Sequence, residues 1–407
     1  MTVALLKNSF PIAREDTKDA AEEYLERLKQ IKITLGIPPN RIPHFAKYII
    51  ARLLLDSALR PEYYGRTKDE QVMFSLPLSS QPEKPRLIGI ARLASQGESL
   101  REGHHVEYFT LPSKSLLNRC VSHRAMPFTW TINPYRGCEF GCRYCYARYT
   151  HEFMEMRDGM EFEEKIYVKK NAAGLLRHEL RRVKSDEAIA LGTATDPYQP
   201  AERRYEVTRA ILEEFALRRG FELGIVTKSN LVVRDIDLLK EVAKTNRLSV
   251  HITVTTLNVN LARILEPRAP RPDLRMEAVR ALSHAGLRVG LSCSPVVPGI
   301  TDSPKDLESL ISAAAYAGAD YVFANPIFLK PCSAAVFLPF LEQHFPHLAE
   351  NYRRRYQDRA FLPPAYAKRL SHLISHLREK YKITSARREG YATKWPVQAF
   401  DEQLNLF

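Results

Sequence analysis

The chain has 407 residues, of which 45% are hydrophobic and 26% charged, the balance of a folded protein rather than a disordered one. At about 150 residues per domain, this length allows two or three domains. The 60 Lys and Arg residues exceed the 47 Asp and Glu residues and give a net charge of +13, so we expect an acidic partner, nucleic acid before an anionic membrane surface. No segment approaches the roughly 18 apolar residues of a membrane span, and no signal peptide is evident. We therefore expect a cytoplasmic protein without a membrane partner.

Residues 1–120 are predicted to form a mixed, mainly helical N-terminal extension. Apolar residues recur at helical spacing over residues 16–35, Pro38 and Pro39 end that pattern, and residues 42–59 predict a second helix. Two short helices in a basic protein are compatible with a DNA-binding element and, more commonly, with plain packing helices. The pattern leaves both interpretations open.

Residues 121–330 alternate between β-branched apolar runs and helical patterns. Helices are predicted to begin near Arg203, Arg234, Asp273 and Lys305. Strands that alternate with helices favour an α/β fold with a parallel sheet, and the periodicity leaves open whether that sheet is doubly wound or a partial (β/α) barrel. The six predicted strands are Phe128–Asn133, Ala188–Thr193, Leu223–Thr227, Leu248–Thr255, Arg288–Ser294 and Tyr321–Phe328.

Residues 331–407 are predicted to form a basic helical C-terminal extension. Between residues 351 and 400, twelve Lys and Arg residues stand against three acidic residues. Clustering of one sign of charge is typical of a phosphate-binding surface, although a solvated helical face has the same pattern. The candidate nucleic-acid contacts are Arg353, Arg354, Arg355, Lys368, Arg369, Arg387 and Arg388.

Three of the six cysteines, Cys138, Cys142 and Cys145, fall within eight residues. The C-x3-C-x2-C spacing does not suit a disulfide framework and is typical of a metal site in a reducing compartment. Three thiolates are one ligand short of a structural zinc site and of a fully ligated cubane, and an open coordination position indicates a catalytic centre. Zinc completed by His123 or His151 is the alternative.

The stretch Asn133–Arg148, NPYRGCEFGCRYCYAR, resembles the cluster loop of the radical S-adenosylmethionine (SAM) enzymes. Other motifs are similar to the spore-photoproduct-lyase-like branch of that superfamily, the DNA repair photolyase-like radical SAM proteins. The resemblance covers about residues 130–330, and it implies a partial (β/α)6 barrel for residues 121–330. The motifs are Gly192–Pro200, Thr227–Ser229, Leu265–Pro270 and Ser294–Gly299.

The resemblance implies two cofactors, a [4Fe–4S] cluster and SAM. Cys138, Cys142 and Cys145 would ligate three irons, and SAM would chelate the fourth through its amino and carboxylate groups. Reduction by an electron donor would then cleave SAM to a 5′-deoxyadenosyl radical that abstracts hydrogen from the substrate. The SAM-binding positions implied by the resemblance are Tyr144, Thr193, Thr195, Asp196, Lys228, Thr255 and Glu266.

The resemblance also concerns hydrogen transfer. Tyr144 and Tyr146 are the implied catalytic tyrosines, and Tyr146 matches one that the lyase uses to pass a hydrogen atom. The lyase has its hydrogen-donating cysteine just before the position of Thr195, whereas this chain has Leu191-Gly192-Thr193-Ala194 there, without a thiol. We therefore expect a reaction other than the cleavage of a spore thymine dimer. Cys293 is the candidate substitute donor, although a cysteine in an apolar strand is commonly buried packing.

The final residues Gln403-Leu404-Asn405-Leu406-Phe407 resemble the motif by which bacterial repair and replication proteins dock on the sliding clamp. The expected contacts are Gln403, Leu404, Leu406 and Phe407, and an apolar terminus that packs on its own domain is the alternative. Together the patterns predict a radical SAM enzyme that acts on nucleic acid, DNA before RNA, in base repair or modification. The alternatives are a radical SAM enzyme for RNA, a peptide or a small metabolite, and a DNA-associated protein with a structural Fe–S cluster.

Overall fold

The computed structural model describes residues 87–102, 105–120 and 127–383. The two helices expected before residue 60, His123, the basic residues Arg387 and Arg388, and the C-terminal five residues therefore lie outside the described residues. Among the residues that are described, no helix is both long and apolar enough to cross a membrane.

The strands of the described ranges fall into two sheets, one large and one small. In chain order they are β1 (Ser99–Glu102), β2 (Glu107–Thr110), β3 (Leu117–Arg119), β4 (Trp130–Ile132), β5 (Tyr135–Arg136), β6 (Lys165–Val168), β7 (Ala188–Leu191), β8 (Glu222–Thr227), β9 (Arg247–Thr253), β10 (Val289–Val296) and β11 (Tyr321–Pro326).

The larger sheet has the strand order β11-β10-β9-β8-β7-β4-β3. Strands β4 and β7 to β11 are parallel to one another, and β3 joins the edge antiparallel to β4. The strands β11 and β3 form the two edges, so the six parallel strands make an open, partial (β/α)6 barrel. This architecture confirms the predicted fold class, and each of the six predicted strands is present.

The smaller sheet, which the sequence patterns did not predict, has the order β1-β2-β6-β5. Its strand β5 directly precedes the three clustered cysteines and pairs antiparallel with β6, with Tyr135 opposite Val168. This pairing anchors the start of the cysteine segment.

Helices connect the parallel strands. Two of them, Pro272–His284 and Pro304–Tyr316, begin with proline in the first turn, where its missing N–H costs nothing. The helix predicted from Arg203 is interrupted by Glu206, whose φ of 49° is left-handed. The α-helices of the described residues are Gly89–Ser95, Tyr149–Glu152, Glu161–Glu164, Ala172–Glu179, Glu202–Tyr205, Val207–Ala216, Ile236–Thr245, Val259–Leu265, Pro272–His284, Pro304–Tyr316, Pro331–His344, Pro346–Tyr356 and Pro364–Lys380.

The main hydrophobic core lies between the larger sheet and its helices. Leu223 and Ile225 of β8 are fully buried in this core, whereas Gly224 and Val226 line a cavity on the other face of the strand. Side chains of a strand alternate between its two faces, so the apolar residues hold the barrel together and the residues between them shape its interior.

The C-terminal extension is helical as far as residue 380, and it contributes to a second core beneath the cysteines. Phe337 and Phe340 of the helix Pro331–His344 pack with Cys138 and Cys142 in this core. The Ser333 hydroxyl of the same helix donates to the carbonyl of Cys145 at 3.0 Å. The extension therefore supports the cysteine segment directly.

Candidate active site

A cavity of about 760 Å³ occupies the inside of the barrel, a size typical of small-molecule sites. We call the region at the carboxyl ends of the strands the upper end; it contains Cys138, Cys142 and Cys145. The region at the amino ends is the lower end; it is lined by Ser249, His251, Arg288 and Tyr321. Chemistry in (β/α) barrels takes place at the carboxyl ends of the strands, so the upper end is the candidate active site.

The cysteine loop, residues 137–145, is held by hydrogen bonds to distant segments. The Cys138 amide donates to the carbonyl of Phe162 at 2.9 Å, and the Thr195 hydroxyl donates to the carbonyl of Gly137 at 2.6 Å. Gly137 has a φ of +83°, and a Cβ there would meet the Lys165 carbonyl oxygen at 2.7 Å. The loop therefore needs glycine at this position in order to pack against the segment that begins β6.

The three loop cysteines line the cavity, and burial raises the pKa of each thiol, that of Cys142 to about 12. Among the described residues, no three His, Cys, Asp or Glu side chains converge closely enough to hold one metal ion. Tetrahedral zinc, with Zn–S bonds of about 2.3 Å, requires such convergence, whereas a cubane spreads its thiolate ligands over separate irons. The donor set fits a [4Fe–4S] cluster.

His151, one of the two histidines proposed for zinc, does not reach the cavity. Its Nε2 atom lies 3.1 Å from the carbonyl oxygen of Lys165, and its ring packs edge-on against Phe162. Burial lowers its pKa to about 4. The alternative of zinc completed by His151 is therefore not supported, because the ring is part of the packing behind the loop.

Asp196 and Lys228 follow neighbouring strands at the upper end. Asp196 accepts hydrogen bonds from the Thr227 hydroxyl at 2.6 Å and from the Lys228 amide at 2.7 Å, so it fixes the backbone after β8. The Lys228 ammonium lies 5.8 Å from the ring centroid of Tyr144. Burial disfavours the charged form of Lys228, but the nearby acidic groups Cys142 and Glu266 favour it, so the pKa of Lys228 lies above the ordinary value. Lys228 is therefore a fixed positive charge beside the cysteines.

Tyr144 lies in the cavity wall and is held from behind by a buried ion pair. Its hydroxyl donates to Glu266, whose other oxygen lies 2.6 Å from Arg275. Thr255 donates to the same carboxylate at 3.2 Å. Burial opposes the charge of Glu266, but Arg275 and Lys228 lower its pKa below the ordinary value.

Glu266 and Thr255 were predicted as SAM contacts. Neither lines the cavity; Glu266 accepts from the Tyr144 hydroxyl, and Thr255 donates to Glu266. Arg275 was missed by sequence reasoning, because nothing in a helix pattern marks one arginine as a buried partner. Thr193, by contrast, lines the cavity as expected, and its hydroxyl lies 3.4 Å from the Asn133 amide nitrogen, which donates to it.

Tyr146 lies in the cavity wall, and Cys293 does not. The Tyr146 hydroxyl donates to the carbonyl of Thr193, and its ring centroid is 4.9 Å from that of Phe328. Cys293 is 1% exposed within the main core, and burial raises its pKa to about 12. Its neighbours Ser292 and Ser294 line the cavity, so the thiol points to the opposite face. Cys293 was therefore wrongly expected to donate hydrogen inside the barrel.

A family model of the radical SAM superfamily matches residues 132–311. An uncharacterized protein of Mycobacterium tuberculosis (strain ATCC 25618 / H37Rv) is 38% identical over 291 residues, which are 70% of this chain and 85% of that protein. An uncharacterized protein of Methanocaldococcus jannaschii is 30% identical over 221 residues, 54% of this chain and 78% of that protein. The chain belongs to the radical SAM superfamily.

Radical SAM enzymes use a [4Fe–4S] cluster and SAM and need an electron donor, which confirms the expected enzyme class and cofactors. The cluster with SAM supplies a 5′-deoxyadenosyl radical. In this radical SAM protein Cys138, Cys142 and Cys145 would hold the cluster, and Lys228 is a cation of the cavity wall whose charge acts on Cys142 and Cys145.

A solved structure of a spore photoproduct lyase variant, with bound AdoMet and dinucleoside spore photoproduct, has a similar fold. The TM-score is 0.51 at 16% sequence identity, and the alignment covers 67% of this radical SAM chain and 78% of the lyase. At that identity the likeness establishes the fold alone.

Of the predicted phosphate contacts that the structure describes on the C-terminal helices, none lines the cavity. Arg353 pairs with Glu342 and, at 3.0 Å, with Glu350. Arg354 donates to Asn351 at 3.0 Å. Lys368 and Arg369 are exposed on a different helix. The positive charge of the 351–380 segment is therefore less concentrated than its composition indicates, since glutamates of the preceding residues neutralise part of it.

Aromatic side chains that the sequence patterns did not single out line the cavity, and each of them keeps some exposure to solvent. We call this set, Phe128, Tyr149, Phe153, Phe328 and Phe361, the aromatic rim; all of its members line the cavity. Phe153 is 60% exposed, and the rings of Phe328 and Phe361 stack with centroids 5.5 Å apart.

Positive side chains accompany the aromatic rim. The Lys330 ammonium lies 3.5 Å from the ring centroid of Tyr149, and Arg119 and Arg136 line the cavity. The buried Lys169 also lines it, and burial, followed by the charge of Arg136, lowers its pKa to about 7. The cavity wall therefore combines ring faces with the positive charge of Arg119 and Arg136.

Proposed function

We propose that this radical SAM enzyme abstracts hydrogen from nucleic acid, in the repair or modification of DNA bases. The observation that carries the proposal is the aromatic rim with its neighbouring cations. Ring faces bind unpaired bases, at about 1–3 kcal/mol per stacked base, and Lys and Arg side chains neutralise phosphates.

The depth of the cavity bears on how such a substrate would be presented. The cysteines lie in the wall of an interior space, which a paired base in a duplex cannot enter. Enzymes that act on a base therefore use single-stranded substrate or turn the base out of the stack. We infer that this enzyme takes an unpaired nucleotide, with Phe153 as a stacking surface at the opening.

Two further observations support the proposal. The net charge of +13 favours an acidic partner, and the lyase variant of similar fold was solved with a dinucleoside spore photoproduct. The likeness of residues 403–407 to a clamp-docking motif agrees with a DNA substrate, and we propose the sliding clamp as a partner on that ground. Because no thiol occurs in residues 191–194, the proposed reaction differs from that of the lyase.

The decisive experiment is anaerobic reconstitution, reduction with dithionite and quantification of 5′-deoxyadenosine with and without single-stranded DNA. The Cys142→Ala variant should give none. Cys332→Ala is the matched control, because its thiol lies outside the cysteine loop and does not line the cavity, and it should behave like the natural protein.

Yield that depends on Cys142 and rises with DNA supports the proposal, and transfer of deuterium from labelled DNA into 5′-deoxyadenosine would identify the abstracted hydrogen. Yield that depends on Cys142 but ignores DNA would direct the search to RNA, peptides or metabolites. Absence of 5′-deoxyadenosine from a protein with an intact cluster would contradict the enzyme itself.

The aromatic rim gives a second test. Phe153→Ala should raise the KM for single-stranded DNA about 5- to 150-fold, the equivalent of one lost stacking contact, and should leave stability nearly unchanged because the ring is exposed. Tyr316→Ala removes a ring that is 84% exposed on an outer helix and should change neither quantity. Equal KM values for the two variants would remove Phe153 from the substrate path.

A further inference from the structure

Two positive side chains of the smaller sheet, Arg136 and Lys169, line the cavity. Arg136 belongs to β5, and Lys169 directly follows β6, where its amide donates to the carbonyl of Pro134 at 3.2 Å. Between them Tyr135 pairs with Val168, and both of these residues are fully buried. Because alternate side chains of a strand point to opposite faces, Arg136 and Lys169 lie on the same, other face of the pair.

Lys169 is a buried cation without a partner in the described parts of the chain. The residue is 5% exposed, and its ammonium group has neither a hydrogen bond nor an ion pair there. The carboxylate whose charge acts on it, Glu179, accepts instead from the amides of Leu116 and Leu117 at 3.0 and 2.8 Å. The charge of Arg136 adds to the effect of burial in lowering the pKa of Lys169. The two cations therefore repel each other, and an isolated buried charge is costly.

The Arg136 guanidinium is only partly satisfied. Its Nη1 atom donates to the carbonyl of Thr150 at 3.2 Å, whereas its buried Nε atom has no acceptor among the described residues. The Nε and Nη2 atoms form the edge with which arginine binds two oxygens of an anion in parallel. The acidic residues of the cavity wall are used elsewhere, since Glu222 pairs with Arg247 at 3.1 Å and Asp196 fixes the backbone after β8.

We infer that Arg136 and Lys169 form a subsite for a phosphate group of the substrate. A phosphate between them would accept from the unused edge of the guanidinium and pair with the ammonium group, and its negative charge would offset their repulsion. The choice of phosphate over another oxyanion rests on the proposed function, because every nucleotide of a nucleic acid carries a phosphate.

The subsite adjoins the aromatic rim. Thr150, which Arg136 contacts, directly follows Tyr149 of the rim, and the charge of Arg136 also acts on Tyr149. A nucleotide held by its phosphate at this subsite would therefore keep its base close to the ring faces. A diester between two nucleotides and a monoester at the end of a strand offer the same phosphate chemistry, and the test below separates them.

The test is anaerobic isothermal titration calorimetry of the cluster-loaded, SAM-bound protein with four kinds of ligand: inorganic phosphate, deoxynucleoside 5′-monophosphates, dinucleoside monophosphates and deoxynucleosides without phosphate. The natural protein should bind inorganic phosphate, and it should bind at least one class of phosphorylated ligand at least about tenfold more tightly than the deoxynucleosides. A preference for dinucleoside monophosphates would identify a diester as the bound group, and a preference for the 5′-monophosphates alone would identify a terminal phosphate.

Lys169→Met keeps an apolar side chain of similar length and removes the charge. This variant should lose the preference for phosphorylated ligands and the binding of inorganic phosphate, while its affinity for deoxynucleosides stays unchanged. It should be at least as stable as the natural protein, because the charge that it removes is buried without a partner. Lys170→Met is the matched control, since Lys170 is exposed and does not line the cavity; it should keep the preference.

Iron content and SAM affinity give a second readout, and both should be equal in the natural protein and the two lysine variants. The absence of any preference for phosphorylated ligands in the natural protein would overturn the inference, and so would an equal preference in Lys169→Met and Lys170→Met. Loss of SAM binding in Lys169→Met would also overturn it, because the cation would then belong to the cofactor site.

The yield of 5′-deoxyadenosine with single-stranded DNA tests the proposed function separately. A yield that ignores DNA, together with phosphate binding that depends on Lys169, would support the subsite and assign it to a phosphorylated substrate other than nucleic acid. A yield that rises equally with subsaturating DNA in Lys169→Met and the natural protein would support the proposed function and overturn the subsite.

Discussion

The two ends of the cavity are built in different ways. At the upper end, Tyr144 is held by the buried pair of Glu266 and Arg275, both of which lie behind the cavity wall. At the lower end, His251 lies 3.2 Å from the Ser249 hydroxyl and 3.0 Å from that of Tyr321, so the barrel strands themselves supply the hydrogen bonds. The upper end depends on residues outside the barrel wall, whereas the lower end draws its hydrogen bonds from the barrel strands and carries the charge of Arg288 beside a neutral histidine.

This difference indicates that the two ends of the barrel have different roles: one holds the reacting groups and the other closes the cavity. Burial, reinforced by Arg288, lowers the pKa of His251 to about 4, so the ring is neutral at physiological pH. The Tyr321 ring occupies the space beside Gly290, where a Cβ would come within 2.0 Å of it. We infer that the lower end closes the cavity and that the upper end holds the cofactors.

The largest expected effect concerns the ion pair behind Tyr144. Arg275→Met should lower the free energy of unfolding by about 3–5 kcal/mol, because it leaves the Glu266 carboxylate buried without its main partner. Denaturant unfolding under anaerobic conditions measures this loss. The SAM-dependent yield of 5′-deoxyadenosine should fall as well, because Tyr144 loses its fixed position.

The control lies directly before the same helix, at its N-cap. Arg271→Met removes an exposed pair, in which the guanidinium is 2.7 Å from Asp273, and such pairs contribute little. The double variant Glu266→Gln with Arg275→Met should recover part of the lost stability, since no unpaired charge remains. A similar loss in the Arg271 and Arg275 variants would contradict the assigned role of the buried pair.

The next effect tests, through pH, whether the His251 ring at the lower end is neutral. The folded pKa of His251 is about 4, and that of a histidine in the unfolded chain is about 6.5. Between these values the unfolded chain binds the proton first, so stability is present above pH 6.5 and declines as the pH falls. His251 should therefore account for a loss of about 2 kcal/mol in the free energy of unfolding as the pH falls from about 6.5 to about 5.

His251→Gln removes the titrating group. Between about pH 6.5 and pH 5, the free energy of unfolding of this variant should therefore fall by about 2 kcal/mol less than that of the natural protein. The group that faces His251 with a charge is Arg288, and Tyr321 and Ser249 are its hydrogen-bond partners. Parallel pH profiles for the two proteins would show that the ring binds a proton equally well in the folded and unfolded chain, which would contradict a neutral His251 beside Arg288.

The sequence alone predicts much of the barrel and of the upper end. Alternation of strands and helices is a repeated pattern, so the six parallel strands were predicted correctly, and the resemblance supplied the barrel. The cysteine loop is one continuous segment, so its motif is visible in the sequence. The smaller sheet was missed because its strands, such as Tyr135–Arg136, are too short for a detectable period. The pairing of Glu266 with Arg275 joins the end of one helix to the interior of the next, and no local pattern indicates it.

The lower end could not be predicted at all, because His251 and Tyr321 lie 70 residues apart and meet only when the sheet forms. The error over Cys293 was avoidable. Apolar and polar side chains alternate along Leu291-Ser292-Cys293-Ser294 if the thiol is counted as apolar. Because alternate side chains of a strand point to opposite faces, the two serines facing the cavity place Cys293 on the core face.

The smallest expected change in stability comes from replacing tyrosine with phenylalanine at each of the two ends. Tyr321→Phe removes one hydrogen bond to His251 and should lower the free energy of unfolding by about 1 kcal/mol, because the ring that packs over Gly290 remains. Since the lower end only closes the cavity, the yield of 5′-deoxyadenosine should not change.

Tyr144→Phe also removes one hydroxyl, but that hydroxyl fixes a side chain beside the cysteines. The yield of 5′-deoxyadenosine should therefore fall several-fold, while the free energy of unfolding should fall by about as much as in Tyr321→Phe. Both variants need to be compared in cluster-loaded protein at the same SAM concentration. If Tyr321→Phe reduced the yield as strongly as Tyr144→Phe, the lower end would take part in the chemistry, and the division of the cavity into two functions would be wrong.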